Sequence, residues 1–178
     1  MSTSPLDLTD QELREGLAAC LAVPRWVDEV AGAAPFASLP ELLQKARAAA
    51  TPLTADEVDQ ALAHHPRIGE KAKGQGTAQA FSAAEQASSA STDPQLAAAL
   101  ADGNRAYEAK FGRVFLIRAA GRSRAEILDE LHRRLTLDPD AELVQVAAEL
   151  RDIALLRLPQ LFSHLDHHSG YDESEAAR

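Results

Sequence analysis

The first candidate for chemistry in this sequence is a pair of histidines followed by a proline. His64 and His65 stand at the end of a helical apolar pattern, and Pro66 biases His65 away from helical backbone angles. An imidazole has an unperturbed pKa of about 6.5, so a histidine at a helix end beside a glycine-containing loop is suited to proton transfer. The alternative is that one or both histidines are surface or capping residues, and we favour this reading for His64.

The segment from Ser82 to Gln86 is the second candidate. Glu85 could orient or polarise a histidine, while Ser82 and Gln86 could hydrogen-bond a polar substrate. The same Ser-x-x-Glu spacing also forms a capping box, a device that the sequence repeats at other helix starts. From spacing alone the cap is favoured. The two roles are compatible, because a helix N-terminus attracts anions.

A third candidate is a basic run that follows the only short apolar segment able to be extended, Val114 to Ile117. If residues 115–122 are extended, Arg118 and Arg122 share one face and Ile117 lies on the other. Two arginines on one edge could grip a carboxylate or a ureido carbonyl. The alternative is a solvated basic edge on an acidic protein.

Two further clusters give weaker signals. The segment 69–77 is rich in Gly and Lys but lacks the Walker spacing of a phosphate-binding loop. His164 and His168 are four residues apart, with His167 between them, but no acidic helper of the HExxH kind accompanies them. We therefore expect no metal site.

Helices must position these residues. Capping signals precede apolar patterns of helical period at five places, namely Thr9 with Glu12, Ser38 with Glu41, Thr54 with Glu57, Asp93 with Pro94, and Ser123 with Glu126. A last long helix is expected from about Ala141 to beyond Leu158, with Pro159 kinking or ending it. We predict an all-α, single-domain bundle of about seven to nine helices over residues 1–168. A disordered tail is expected over residues 169–178.

Composition narrows the classes of partner. The formal net charge of −9 disfavours nucleic acid and anionic membranes. The single cysteine, Cys20, allows no intramolecular disulfide, and no apolar run approaches the roughly 20 residues of a membrane span. With no signal-peptide pattern at the N-terminus, we expect a cytoplasmic protein.

Taken in order, these segments resemble the 2-oxo-4-hydroxy-4-carboxy-5-ureidoimidazoline (OHCU) decarboxylase family. The resemblance spans most of the chain. It rests on Cys20, Arg25-Trp26, Leu53-Thr54, His65-Pro66-Arg67-Ile68-Gly69, Ser82-x-x-Glu85-Gln86, Asn104, Tyr107, Lys110-Phe111-Gly112, Phe115-Leu116-Ile117 and Gly121-Arg122. Each element is weak alone, but their order and spacing in a helical chain of this length are specific.

The resemblance implies a helical homodimer with neither metal nor organic cofactor. It would act in urate degradation, a branch of purine catabolism, as a lyase that converts OHCU into (S)-allantoin and carbon dioxide. The family's catalytic histidine falls on His65 and its acidic partner on Glu85. The family's substrate contacts fall on Ser82, Gln86 and the backbone near Ile117, with Pro66 shaping the pocket. Many members carry an arginine where this chain has Ala120, so Arg118 and Arg122 are both candidates for the arginine that grips the substrate.

The chemistry of this substrate explains why no cofactor is expected. Loss of its carboxylate leaves electrons on a ring carbon conjugated to C=N and C=O, so the substrate is its own electron sink. We hypothesise that His65, held by Glu85, orients the carboxylate and hydroxyl while a protonated group delivers a proton to one face. Two other classes remain as alternatives: a helical binding module without chemistry, and a metal-dependent hydrolase that uses the C-terminal histidines.

Overall fold

The computed structural model describes residues 6–70, 75–87 and 89–163. Within these ranges the chain is all-α, as predicted, and forms eight helices without a strand. The helices are α1 (Asp10–Cys20), α2 (Pro24–Ala31), α3 (Leu39–Ala49), α4 (Ala55–Leu62), α5 (Thr77–Ala87), α6 (Pro94–Phe111), α7 (Arg124–Arg134) and α8 (Pro139–Phe162). The expected tail over residues 169–178 lies outside the described ranges.

Local capping chemistry sets most of the helix starts. Thr9, Thr54 and Ser123 each form a complete capping box with the glutamate three residues later, as predicted. At α3 the Ser38 hydroxyl accepts from the Glu41 backbone N–H. These boxes satisfy N–H groups that the first turn of a helix leaves without partners.

Helix α6 begins and ends as the sequence predicts. The Asp93 carboxylate accepts from the first turn, and Pro94 occupies the first helical position, where it needs no N–H partner. Gly112 follows the last residue with a φ of +70°, a left-handed conformation that glycine adopts without strain.

Helix α5 departs from the prediction. It begins at Thr77, just after Gly76 with its φ of +139°, so Ser82 lies in the second turn rather than at an N-cap. Its hydroxyl donates to the Ala78 carbonyl at 3.1 Å. The expected cap at Ser82 is therefore wrong. The Ser-x-x-Glu spacing also places two side chains on one helix face, and here that face is turned toward α8.

Helix α8 starts at Pro139, two residues before the predicted start, with Asp138 as its N-cap. Pro159 does not end it, because the helix continues to Phe162. The helix packs against α1, α3 and α4 and so lies at the centre of the main core. None of the helices in the described part of the chain combines the length and apolarity needed to cross a membrane.

Two apolar clusters form the core. The larger is built on α1 to α4 and α8, with Trp26, Leu42 and Val58 fully enclosed. The smaller lies between α6, α7 and the segment 114–119 and includes Tyr107, Ile127 and Leu131. Helices α6 and α7 also contact each other directly.

Buried charges fix the segment 114–119 as a non-helical run between the two clusters. The fully buried Arg134 donates from Nη1 to the Leu116 carbonyl at 2.7 Å and pairs with the equally buried Glu142. Glu149 accepts from the backbone N–H of Arg118 at 2.8 Å. Because a buried backbone group needs a partner, these contacts hold the run in one register and direct Ile117 inward.

Candidate functional site

His65 lies on the turn that ends α4. The backbone N–H of His65 donates to the Leu62 carbonyl at 3.0 Å, so the chain makes one further turn beyond the helix. Pro66 follows and prevents the helix from continuing. The side chain of His65 is partly buried, whereas that of His64 is exposed. This contrast fits the reading of His64 as a surface residue.

Facing this turn is an ion pair between α5 and α8. Arg157 donates from Nε to Oε1 of Glu85 at 2.7 Å and from Nη2 to Oε2 at 2.8 Å. The Arg157 side chain is 2% exposed and that of Glu85 is 20% exposed. Such a two-point contact fixes the carboxylate in plane and in distance, which a lysine could not do.

The pair changes the expected role of Glu85. We predicted that Glu85 holds His65, but among the hydrogen bonds between described residues none joins the His65 ring to Glu85. The carboxylate is instead engaged by Arg157. Glu85 therefore positions a guanidinium beside the histidine.

Gln86 fastens the loop that follows His65. Its Oε1 accepts from the Gly69 N–H at 2.9 Å, and its Nε2 donates to the Arg67 carbonyl at 3.2 Å. Both ends of the amide are thus used by the backbone of the same loop. Ser82, one turn earlier on α5, has its hydroxyl 3.3 Å from Nη2 of Arg157.

These side chains surround a narrow cavity of about 20 Å³, which has room for about one water molecule. Six of the eight residues predicted from sequence line it: His65, Pro66, Ser82, Glu85, Gln86 and Ile117. Apolar side chains supply the rest of the wall: Ile68, Leu116, Ala119 and Ile153. Side chains must move apart to admit a ligand much larger than a water molecule.

Neither of the two predicted arginines lines this cavity. Arg118 alternates with Ile117 and Ala119, so its side chain lies on the opposite face, in a groove with Arg47 and Asp152. Arg122 follows the turn at Gly121 and lies 4.0 Å from Glu149. The two arginines that we predicted to grip the substrate therefore lie outside this cavity.

Arg157 is the cation that sequence reasoning missed. It stands in the apolar stripe of α8, between Ile153 and Ala154 on one side and Leu158 on the other. A charged residue at a core-facing position is expensive unless it is paired, so the break in the stripe was an available signal. Its partner could not be read from the pattern, because Glu85 is 72 residues away.

The electrostatics of the site keep His65 neutral. Desolvation by burial, the Arg157 guanidinium and His64 together lower the pKa of His65 to about 3. At neutral pH its imidazole therefore offers one donor and one acceptor nitrogen. A neutral histidine beside a fixed cation can accept a proton from a bound acid while the cation holds an anionic group.

Among the described residues no cluster of His, Cys, Asp and Glu is arranged to hold a metal ion. His164, His167 and His168 lie outside the described ranges, so the structure says nothing of their arrangement.

Comparison with known proteins gives consistent relatives. A family model described as OHCU decarboxylase matches residues 7–159. The mouse 2-oxo-4-hydroxy-4-carboxy-5-ureidoimidazoline decarboxylase is 35% identical over 107 residues, which are 58% of this chain and 59% of that protein. The Arabidopsis thaliana uric acid degradation bifunctional protein TTL is 44% identical over 64 residues, 36% of this chain and 20% of that protein. The matches thus span less than two thirds of either relative.

Two solved structures share the fold. The crystal structure of an OHCU decarboxylase in the presence of (S)-allantoin matches with a TM-score of 0.72 at 27% identity, covering 88% of this chain and 99% of that one. The crystal structure of an (S)-allantoin synthase matches with a TM-score of 0.64 at 15% identity, covering 88% of this chain and 52% of that one. The second likeness shows the fold alone.

Proposed function

Because this chain belongs to the OHCU decarboxylase family, we propose that it converts OHCU into (S)-allantoin and carbon dioxide. One observation carries the proposal: His65 and Glu85 line a single cavity between α4, α5 and α8, and Arg157 holds Glu85 from behind by two hydrogen bonds. A binding module without chemistry would have no need of a desolvated histidine beside a buried ion pair, since both features cost stability. Perturbed titratable groups of this kind are typical of catalytic sites.

Arg157 is the residue that we propose to meet the carboxylate of the substrate. Its Nε and Nη2 hydrogen-bond Glu85 and Ser82, and among the described residues Nη1 has no hydrogen-bond partner. A carboxylate at Nη1 would make a charge-assisted hydrogen bond. Glu85 holds the guanidinium still, so little reorganisation is needed when the substrate arrives.

The neutral His65 is the proposed proton acceptor. When carbon dioxide leaves, the electron pair of the broken C–C bond forms a C=C bond to the neighbouring ring carbon. The electron pair of the C=N bond moves onto nitrogen, which takes a proton from water, and an enol remains on the ring. His65 takes the hydroxyl proton as the carbonyl forms, and a proton added to the neighbouring ring carbon on one face sets the (S) configuration. A bound carboxylate offsets the charge of Arg157, which raises the basicity of His65 in the complex.

The test is the reaction itself. OHCU is generated in situ from urate with uricase and hydroxyisourate hydrolase, this protein is added, and circular dichroism of the product is followed. We expect rapid appearance of a single allantoin enantiomer. Slow formation of racemic allantoin at the rate seen without the protein would refute the proposal and leave a binding module as the better account.

We also propose that the protein acts as a cytoplasmic homodimer. The family resemblance supports the dimer, and the single buried Cys20 suits a reducing compartment. Two large apolar side chains of α8, Val144 and Leu156, are 72% and 41% exposed and could be covered by a second copy. Light scattering on the purified protein tests the dimer, and a monomeric mass at micromolar concentration would exclude it.

A further inference from the structure

A second, larger cavity lies on the opposite side of the loop that carries His65. Its volume is about 360 Å³, within the range of roughly 300–1,000 Å³ typical of small-molecule sites. The loop residues Arg67 to Glu70 form one wall, and α6 and the first residue of α7 form the other. Ile68 lines both this cavity and the His65 cavity, so the two are separated by little more than the loop.

Two of the residues that line this cavity each carry a polar side-chain atom that is buried without a hydrogen-bond partner. Asn104 is 7% exposed, and its Nδ2 donates to the Ile68 carbonyl at 3.1 Å, but its Oδ1 is unpaired. Nη1 of Arg124 is likewise buried and unpaired. These are the only two such side-chain atoms in the described part of the chain, and both residues line the same cavity. Buried polar atoms are rarely left unpaired, because each loses its hydrogen bonds to water.

One of the arginines on the cavity wall has no ion-pair partner among the described side chains. Arg67 pairs with Glu108 and also lies 3.6 Å from Glu70. Arg105 pairs with Asp102 on the surface of α6. Arg124 forms no ion pair or hydrogen bond with any described side chain. The cavity is therefore lined by one guanidinium and one hydrogen-bond acceptor that have no partner among the described residues.

We propose that this cavity is a second binding site, for a small carboxylate that also carries an amide or ureido N–H. The carboxylate accepts from Nη1 of Arg124, and the N–H donates to Oδ1 of Asn104. A simple carboxylate without an N–H would satisfy only the first atom, and a neutral amide would leave Arg124 without an anionic partner. A molecule with both groups satisfies the pair of atoms that the fold leaves open.

The site is connected to the loop that positions His65. Asn104 holds Ile68 from this side, and Gln86 holds Gly69 from the other. A ligand on Oδ1 of Asn104 thus rests against the back of the loop. The proposal itself concerns binding and does not depend on the decarboxylase activity.

N-carbamoylglycine is a suitable probe, because it has a carboxylate and a ureido group. Its affinity is measured by isothermal titration calorimetry on the full chain, at low ionic strength. We expect binding that weakens about tenfold or more in Arg124→Gln, since a buried charge-assisted hydrogen bond is lost. Arg105→Gln is the matched control, because Arg105 also lines the cavity but is exposed and paired with Asp102. The affinity of this variant for the probe should equal that of the unaltered protein.

A second variant tests the same cavity without changing Arg124. Ala101→Phe places a large side chain at the cavity from an exposed position on α6, and it should also remove binding. Propionate, which lacks the N–H, should bind more weakly than the probe. Crystals soaked in N-carbamoylglycine should show it between Asn104 and Arg124.

Three results would overturn the proposal: no heat of binding, the same affinity in Arg124→Gln and Ala101→Phe as in the unaltered protein, or probe density only beside His65. The His65→Ala variant separates this site from the proposed function. It should lose decarboxylation and keep the affinity for the probe. Loss of both would place the probe in the His65 cavity.

Discussion

Arg157 and Glu85 join α8 to α5 through two nearly parallel hydrogen bonds, of 2.7 Å and 2.8 Å, although they are 72 residues apart in sequence. The Arg157 guanidinium also lies over the ring of Phe81, with Cζ 5.4 Å from the ring centre. Aromatic, carboxylate and hydroxyl groups therefore hold one cation in a single orientation beside His65. This arrangement makes the guanidinium geometry, and not charge alone, the property to test.

Replacing Arg157 by lysine should abolish most of the activity while the fold survives. Lysine keeps the charge but cannot make two parallel bonds to Glu85, so the proposed carboxylate-binding nitrogen is lost. We expect kcat/KM for OHCU to fall at least about 100-fold and unfolding free energy to fall by about 1–2 kcal/mol. Circular dichroism of product formation and urea denaturation measure the two effects.

Arg118→Lys is the control for that variant. Arg118 was a sequence-based candidate for the same role, but its side chain lies in the groove with Arg47 and Asp152. Its activity should stay within about threefold of the unaltered protein, as expected for a surface substitution. A large loss in Arg118→Lys with little loss in Arg157→Lys would reverse our assignment.

The two adjacent histidines allow a matched test of the proton acceptor. His65→Ala should lower kcat by about 100-fold or more, because general base catalysis contributes about that much. His64→Ala removes an exposed imidazole one residue away and should leave the rate unchanged. If His65→Ala produced a single allantoin enantiomer at the normal rate, His65 would have no role in the proton transfer.

His65 should also make folding stability depend on pH. Its pKa is lowered to about 3 in the folded protein, mainly by burial and then by Arg157, against about 6.5 in an unfolded chain. Above pH 6.5 neither state is protonated, so His65 contributes no pH dependence there. As the pH falls from about 6.5 toward about 3, only the unfolded state takes up the proton, and stability falls by up to about 1.4 kcal/mol per pH unit.

Urea denaturation at pH 7, 6 and 5 measures this dependence. His65→Gln should remove the steep part of the loss, and His64→Gln should leave it in place. The same slope in His65→Gln as in the unaltered protein would show that other groups cause the acid sensitivity.

Ser82 and Ser123 have the same sequence signature, and the structure gives them different roles. Ser123 caps α7 and accepts from the Glu126 N–H at 3.2 Å, so Ser123→Ala should cost about 1 kcal/mol of unfolding free energy. Ser82 lies inside α5, where Ser82→Ala removes no cap and improves helix propensity. We expect the unfolding free energy of the Ser82→Ala variant to change by less than about 0.5 kcal/mol. Its activity should fall, because the contact between Ser82 and Arg157 is lost. An equal loss of stability in both variants would favour the capping role at Ser82.

The parts of this fold that depend on local chemistry could be predicted from sequence. The capping boxes at Thr9, Thr54 and Ser123 involve residues three apart, and the stop at Gly112 needs only its own backbone freedom. The end of α4 just before His64 could be predicted from Pro66, which biases His65 away from helical backbone angles. In each case the decisive interaction lies within one turn of the residue that signals it.

What could not be predicted depends on contacts between distant residues. The register of the segment 114–119 is set by buried Arg134 and Glu149, and this register directs Arg118 away from the cavity. The role of Ser82 depends on where α5 begins and on which of its faces meets α8. A Ser-x-x-Glu spacing is compatible both with a helix cap and with two side chains on one helix face. The one overlooked signal was a charged residue at a helix position where the pattern calls for an apolar one. Arg134, Glu149 and Arg157 all occupy such positions and are buried.

Gln86 provides the last test, because its two possible roles give different kinetics. In the structure its amide is used by the backbone at Gly69 and Arg67, so we expect Gln86 to position the His65 loop rather than to bind the substrate alone. Gln86→Ala should speed hydrogen exchange at the Gly69 amide and lower kcat, since the loop then holds His65 less firmly. Gln95→Ala, on the exposed side of α6, is the control and should change neither quantity. A rise in KM with unchanged kcat and unchanged exchange would instead identify Gln86 as a direct substrate contact, because an interaction of equal strength in the ground and transition states affects KM alone.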